Sequence, residues 1–202
     1  KAEIQNADQE GDTKLVERLE RITAEMEQDT SRLNKIASRF SQIGSTPELR
    51  MSDLGDVIVE TADYLKRRLP SDVRFEYVPG PAASIPANKE LLGWAFENLF
   101  KNAADAIEGR SGGGIVVATK VREEAEWVDV TVKDNGKGMS PNATKQVFIP
   151  GYSTKKRGWG LGLSFVKRII EDYHKGRISI EDSILGKGTT FLISLPTRPP
   201  EA

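Results

Sequence analysis

From about Thr13 to Ile43 the apolar residues Leu15, Leu19, Ile22, Met26, Leu33, Ile36, Phe40 and Ile43 recur at alternating four- and three-residue steps. That heptad stripe predicts one long helix, weakened where Asp29 occupies the seam. An isolated helix cannot bury such a stripe. Because it is long and heavily charged on its other faces, a partner helix is the expected cover, with packing on its own domain as the alternative. Residues 1 to 12 are polar and read as a lead-in. Gly44-Ser45-Thr46-Pro47 breaks the helix and places a domain boundary between about Thr46 and Met51. Ser52 or Asp53 can cap a second helix running to about Leu69, where Pro70 stops it.

Val73 to Val78 and Ser84 to Pro86 read as strands around the turn Pro79-Gly80-Pro81. A helix over about Asn88 to Glu108 carries a broad apolar stripe of Leu91, Leu92, Ala95, Phe96, Leu99, Ala103, Ala106 and Ile107. Ile115 to Val121 and Trp127 to Lys133 form an expected hairpin after the turn Ser111 to Gly114. Pro141 to Val147 suits a short helix, and Phe148 to Gly158 a loop. Gly158, Gly160 and Gly162 open a helix with Leu161, Leu163, Val166, Ile169, Ile170 and Tyr173 on its apolar side. Arg177 to Asp182 and Thr189 to Leu195 alternate as strands about Gly186 and Gly188. Clustered alternating strands beside amphipathic helices predict an α+β fold. It is a two-layer α/β sandwich with a largely antiparallel sheet, one face covered and one wet. The proline-rich residues 198–202 read as a loose tail.

With 202 residues the chain can hold one good-sized domain and an appendage. Its 29 Lys+Arg balance 30 Asp+Glu, so it lacks the basic footprint of a nucleic-acid binder. Cysteine is absent, which excludes disulfides and thiolate metal sites and fits a reducing compartment. No apolar run approaches the roughly 18 residues of a membrane span, and no signal peptide is evident, so a cytoplasmic location is expected. Lys1 stands where a starting methionine would, which points to a fragment of a longer protein.

The candidate chemistry centres on Asp134-Asn135-Gly136-Lys137-Gly138-Met139. Asp134 continues the parity of Val128, Val130 and Val132, so its carboxylate points toward the core and needs hydrogen-bond donors there. Gly136 and Gly138 let the backbone turn tightly and let another group come close. A buried acceptor beside an open turn is a pocket for a donor, although a hairpin turn with a capping Asp accounts for the same residues. On the preceding helix Asn98 and Asn102 lie one turn apart, with Asp105 a further turn on. Asparagine is a poor mid-helix residue, so stacked carboxamides suggest use, the alternative being two solvent-facing amides. The run Gly158-Trp159-Gly160-Leu161-Gly162-Leu163 lacks dinucleotide-fingerprint spacing, and no P-loop occurs. It remains a glycine-rich helix start able to hold an anion, preceded by Lys155, Lys156 and Arg157. Phosphates at these glycines and a base at Asp134 would suit a nucleotide.

The order of motifs resembles the sensor histidine kinases. Glu97-Asn98-Leu99-Phe100-Lys101-Asn102-Ala103 is similar to their asparagine box, Asp134 to Met139 to their first glycine box, and Gly158 to Leu163 to their second. Phe148 with Pro150-Gly151-Tyr152-Ser153-Thr154-Lys155 resembles their phenylalanine box and lid, most like the nitrogen-regulation subgroup. Gly186-Lys187-Gly188-Thr189-Thr190-Phe191 looks like the closing box. The resemblance covers about residues 50 to 197, and five motifs in order make it specific.

It implies the Bergerat ATP-binding fold with a long N-terminal helix, and ATP and Mg2+ as ligands. Residues 1–46 would be part of the dimerisation and phosphoacceptor region, and residues 47–197 the catalytic domain. In this likeness Asp134 would accept the adenine amino group, with Thr189 helping through water and Gly136 and Gly138 shaping the turn. Asn102 would hold magnesium and Asn98 would lie beside it. Lys101 and Lys155 would offset phosphate charge, while Gly158, Gly160, Leu161, Gly162 and Leu163 would wrap the triphosphate. The implied partners are a helix carrying the phosphoacceptor histidine, a response regulator and a second copy of the chain. The parent protein could be membrane-anchored. His174, the sole histidine, resembles a structural residue at a helix end, where partial positive charge is favoured, more than an acceptor.

Two alternatives stand beside this reading, the second of them from another class. A related ATPase would hydrolyse ATP with a Glu base, but the matching position is Asn98, which cannot take a proton from water, and Glu97 projects about 100° away. A nucleotide-sensing pseudokinase or scaffold would keep the motifs without the transfer.

Overall fold

The computed structural model describes residues 47–66, 73–107, 109–122, 126–155 and 159–199, with Leu19, Ile22, Thr23, Met26 and Thr30. The chain divides into two compact units, Lys1–Pro47 and Glu48–Ala202. In the first, the five described residues are helical, and the hydroxyls of Thr23 and Thr30 donate to the carbonyls of Leu19 and Met26 four residues back. Leu19, Ile22 and Met26 of the heptad stripe are exposed within this chain. The rest of the stripe, including Leu15, Asp29, Leu33, Ile36, Phe40 and Ile43, lies outside the described residues.

The second unit opens with strand β1 (Arg50–Asp53), then helix α1 (Leu54–Lys66). Of the two caps that the sequence offered, Asp53 serves: its Oδ1 accepts from the Asp56 N–H at 3.1 Å. The α1 stop at Leu69 and Pro70 lies outside the described residues. Strands β2 (Arg74–Val78) and β3 (Ser84–Ala87) lead into α2 (Lys89–Ile107). Asn88 caps α2 through Oδ1, which accepts from the Leu91 N–H. The expected hairpin is β4 (Gly114–Val121) with β5 (Trp127–Asp134). Helices α3 (Pro141–Gln146) and α4 (Gly162–Arg168) follow, then β6 (Arg177–Ile184) and β7 (Gly188–Pro196).

The main sheet has strand order β2-β4-β5-β7-β6, antiparallel throughout except for the parallel pair β2-β4. Its covered face presents Ile115, Val117, Val128, Val130, Val132, Phe191, Ile193 and Leu195, all buried against the helices. From α2 come Leu92, Phe96, Leu99 and Phe100; Phe100 meets Phe75 of β2 edge-on with ring centroids 5.1 Å apart. Helix α1 adds Leu54 and Ile58, and Val166, Ile169 and Ile170 close the layer. The two-layer α+β sandwich is thus the observed architecture. Among the described residues, no helix is long and apolar enough to cross a membrane.

Two elements depart from the expected boundaries. Strand β1 occupies the end of the expected linker, and its only ladder is to β3, with Arg50 opposite Ala87. Four residues with no alternation carry no periodic signal, so only the distant partner reveals this strand. The glycine-box helix begins at Gly162 instead of Gly158, and after Arg168 it widens into a π-helical turn over Ile169–Tyr173. The extra residue lets both Ile169 and Ile170 face the core, and the His174 N–H then reaches back five residues to the Ile169 carbonyl.

Candidate functional site

One face of α2 lays out the site. Asn98, Asn102 and Ala106 recur every four residues, so they lie in a row about 12 Å long. At Asn98, Nδ2 donates to the Trp94 carbonyl at 2.9 Å. Its Oδ1 faces the second glycine box, and a Cβ added at Gly162 would lie 3.1 Å from that oxygen. At Asn102, Oδ1 accepts from the Lys155 ammonium at 2.8 Å, and the same ammonium pairs with Asp105 at 2.6 Å. At Ala106, the carbonyl accepts from Lys137 N–H, and a Cβ on Gly136 would come within 2.6 Å of it. The second glycine turn, the lid lysine and the first glycine turn therefore meet one helix face in that order.

Asp134 ends β5 where the alternation places it, only 4 % exposed, and opposite Thr189 of β7. Its Oδ1 accepts from the Gly136 N–H at 2.8 Å. Burial pushes this carboxyl above the usual range, while the N–H groups of Gly136 and Thr189 and the Arg110 charge pull it back. The backbone packs so tightly here that glycine is required. Gly138 has φ of 64° and no room for a Cβ, which would fall 2.1 Å from the Ile184 carbonyl oxygen. Thr189 is buried, and its hydroxyl pairs with that of Ser183 at 2.9 Å, which in turn accepts from the Met139 N–H.

At the other end, Gly160 has φ of 66°, and its carbonyl accepts from the Gly151 N–H, tying the lid's start to the second glycine box. Leu161 precedes α4, Gly162 begins it, and Leu163 packs partly buried against the core. Lys101 is exposed on α2 beside Asn102. Gly158, with Lys156 and Arg157, lies outside the described residues.

These residues fit a nucleotide and a magnesium ion. Asn102 Oδ1 already accepts a cationic group, the Lys155 ammonium, and is a hard neutral oxygen of the kind magnesium favours. Among the described residues no cluster of three or more His, Asp or Glu could hold a metal, so a magnesium ion here would draw most of its shell from phosphates and water.

Sequence reading passed over Arg110, Ser183 and Asn135. Asn135 accepts from the Gly114 N–H and donates to the Gly112 carbonyl, fixing the turn from its outer side. Arg110 and Ser183 lie outside every motif, and all three act on backbone groups that are remote in the chain.

The expectation of a favoured positive charge on His174 is corrected. The ring is 1 % exposed, Nε2 accepts from the Asn88 N–H at 3.1 Å, and Nδ1 therefore carries the proton it donates to the Ile169 carbonyl at 2.8 Å. Protonating Nε2 would set two donors against each other, and burial lowers the pKa below the ordinary value. The unfolded chain then binds the extra proton first. Stability is complete above about pH 6.5 and declines below it, with a slope approaching 1.4 kcal/mol per pH unit, roughly the one-proton limit. Denaturant melts from pH 7.5 to 5 are expected to show this decline, and a His174→Gln variant to lose it. Parallel slopes for the two proteins would mean that the ring titrates freely.

Residues 87–199 match the Histidine kinase-, DNA gyrase B-, and HSP90-like ATPase family. The sensor histidine kinase ZraS of Klebsiella oxytoca is 35% identical over 178 residues, which are 86% of this chain and 37% of that protein. Nitrogen regulation protein NtrY of Azorhizobium caulinodans is 29% identical over 178 residues, 84% of this chain and 22% of its own length. The chain thus spans about a third or less of these relatives. The mycobacterial sensor histidine kinase MprB superposes with a TM-score of 0.66 at 26% identity, covering 74% of this chain and 99% of that structure. The chain belongs to the histidine kinase-, DNA gyrase B-, and HSP90-like ATPase family, and is homologous to the ATP-binding catalytic domains of sensor histidine kinases.

Proposed function

We propose that this chain binds Mg-ATP along the α2 face and transfers the γ-phosphoryl group to a histidine on a dimerisation helix, for onward transfer to a response-regulator aspartate. The row Asn98, Asn102 and Ala106 carries the reading, because it aligns a phosphate-binding turn, a cation and a base pocket in the order of a nucleoside triphosphate. Asp134 accepts the adenine amino group at the Gly136 and Gly138 turn, with Thr189 beside it. Backbone N–H groups of Gly160, Leu161, Gly162 and Leu163 wrap the phosphates, and Lys101 and Lys155 offset their charge. Asn102 holds magnesium through Oδ1, and Asn98 lies beside it. A bound metal would offset phosphate charge, and these residues would act by positioning the nucleotide.

Residues 1–46 are read as part of the dimerisation and phosphoacceptor region, residues 47–197 as the catalytic domain and 198–202 as a tail. The full-length protein then acts as a homodimer. Hydrolysis by water is disfavoured, since Asn98 presents a carboxamide where that chemistry needs a base.

Transfer demands an acceptor nitrogen within about 3–3.5 Å of the phosphorus, in line with the leaving oxygen. His174 cannot supply it, being buried at the far end of the glycine-box helix with both ring nitrogens bonded to backbone. Incubated with γ-labelled ATP, this chain alone is expected to stay unlabelled, and a docked hairpin carrying an acceptor histidine to become labelled. Label on this chain lost in His174→Ala would overturn the reading. A docked but unlabelled hairpin would favour the pseudokinase.

A further inference from the structure

We infer that Arg110 is the positioning residue of the adenine end, its guanidinium bracing the first glycine turn against the β6–β7 turn so that Asp134 is held to meet the base. The inference rests on the nucleotide reading above. Arg110 follows α2 by three residues, and its two terminal nitrogens reach three carbonyls. Nη1 donates to Asn135 at 3.0 Å and also to Gly136, and Nη2 donates to Gly186 at 2.9 Å. Three carbonyl oxygens converging on one point repel, and a planar cation with several donors in a fixed fork is the group that offsets this. The same two turns are joined directly by Gly186 N–H to the Lys137 carbonyl at 2.8 Å. They pack so closely that a Cβ on Gly188 would lie 1.9 Å from the Asp134 carbonyl oxygen. Among the described residues no ion pair joins Arg110 to a carboxylate, so its position is set by these carbonyls.

The second consequence is electrostatic. Around Asp134, β4 presents Ile115, β7 presents Thr189, the turn presents the Gly136 N–H, and α2 presents Ala106, with Asp105 paired to Lys155. Arg110 is the charge that opposes the effect of burial on this carboxyl. A bracing residue of purely structural role would not change how ATP binding responds to pH. Arg110 does, because it favours the ionised form that accepts from adenine.

The test is calorimetric binding of Mg-ATP to the intact chain between pH 5.5 and 8, for Arg110→Gln and Arg110→Lys, with Asp134→Asn in parallel. Losing charge-assisted hydrogen bonds predicts about tenfold weaker binding in Arg110→Gln at pH 7. Its dissociation constant relative to the unaltered protein should rise further as pH falls, because Asp134 protonates earlier. Protonation of ATP itself cancels in that ratio. Arg110→Lys, which keeps the charge and loses the fork, should bind with intermediate affinity and a flat ratio. Unchanged affinity in Arg110→Gln, or equal pH-independent losses in both variants, would overturn the inference while Asp134→Asn still binds at least about tenfold more weakly. Normal binding by Asp134→Asn would instead remove the site reading, and the inference with it. If Arg110→Gln does not fold, Arg110→Lys decides: intermediate affinity supports the bracing role and unaltered affinity rejects it.

Discussion

Asp134→Asn is expected to weaken ATP binding by about 10- to 150-fold, and the unaltered protein to prefer ATP over GTP by a similar factor. The carboxylate is buried, with Oδ1 accepting from the Gly136 N–H and the Thr189 N–H also favouring its charged form. Adenine offers an amino group at its six-position, whereas guanine offers an oxygen, and two acceptors repel. An Asn side chain must turn its own NH2 toward either the turn or the base, so one donor always meets another. Losing a hydrogen bond to a charged group costs about 1.5–3 kcal/mol, which sets the range given. Equal calorimetric affinities for ATP and GTP would sink the assignment of this pocket to adenine.

Asn102→Ala is expected to cut phosphoryl transfer to an added acceptor hairpin by roughly 10²–10³, the scale of removing one positioned group that stabilises developing charge. The same variant should alter the nucleotide-free protein. In the structure the Lys155 ammonium sits on Asn102 Oδ1 and the Asp105 carboxylate, and both members of the ion pair are more than a third exposed. Such a pair is worth little by itself, and magnesium can take the same oxygen. Hydrogen exchange over Ser140 to Lys155 should therefore quicken in Asn102→Ala without nucleotide. In the unaltered protein it should slow when Mg-ATP is added and the lid lysine moves to the phosphates. Exchange there that ignores both the substitution and the nucleotide would place the lid elsewhere. Full transfer activity in Asn102→Ala would remove this residue from the metal site.

Period and parity in the chain already determine much of this molecule. The alternation from Val128 to Val132 carries Asp134 inward wherever the sheet is built, and the four-residue step from Asn98 to Asn102 puts both carboxamides on one face of α2. Glycines at 138, 160 and 188 are legible as demands on the backbone, because a positive φ is local, whereas the missing Cβ at Gly136 answers Ala106, 30 residues away. Tertiary structure alone decided what those glycines are close to. Strand β1 exists only through its ladder with β3, 31 residues away even at the near ends of the two strands, where Asp53 pairs with Ser84. The π-helical turn appears because Ile169, Ile170 and His174 must all enter one core, a requirement that a helical period does not encode. Arg110 and Ser183 act on backbone groups tens of residues away, and His174 is kept neutral by the Asn88 N–H at the start of α2. Local sequence specifies which conformations and faces are available. The contacts that set a charge, a lid position or a pocket wall are formed between distant segments, so their energies exist only once the chain has closed on itself.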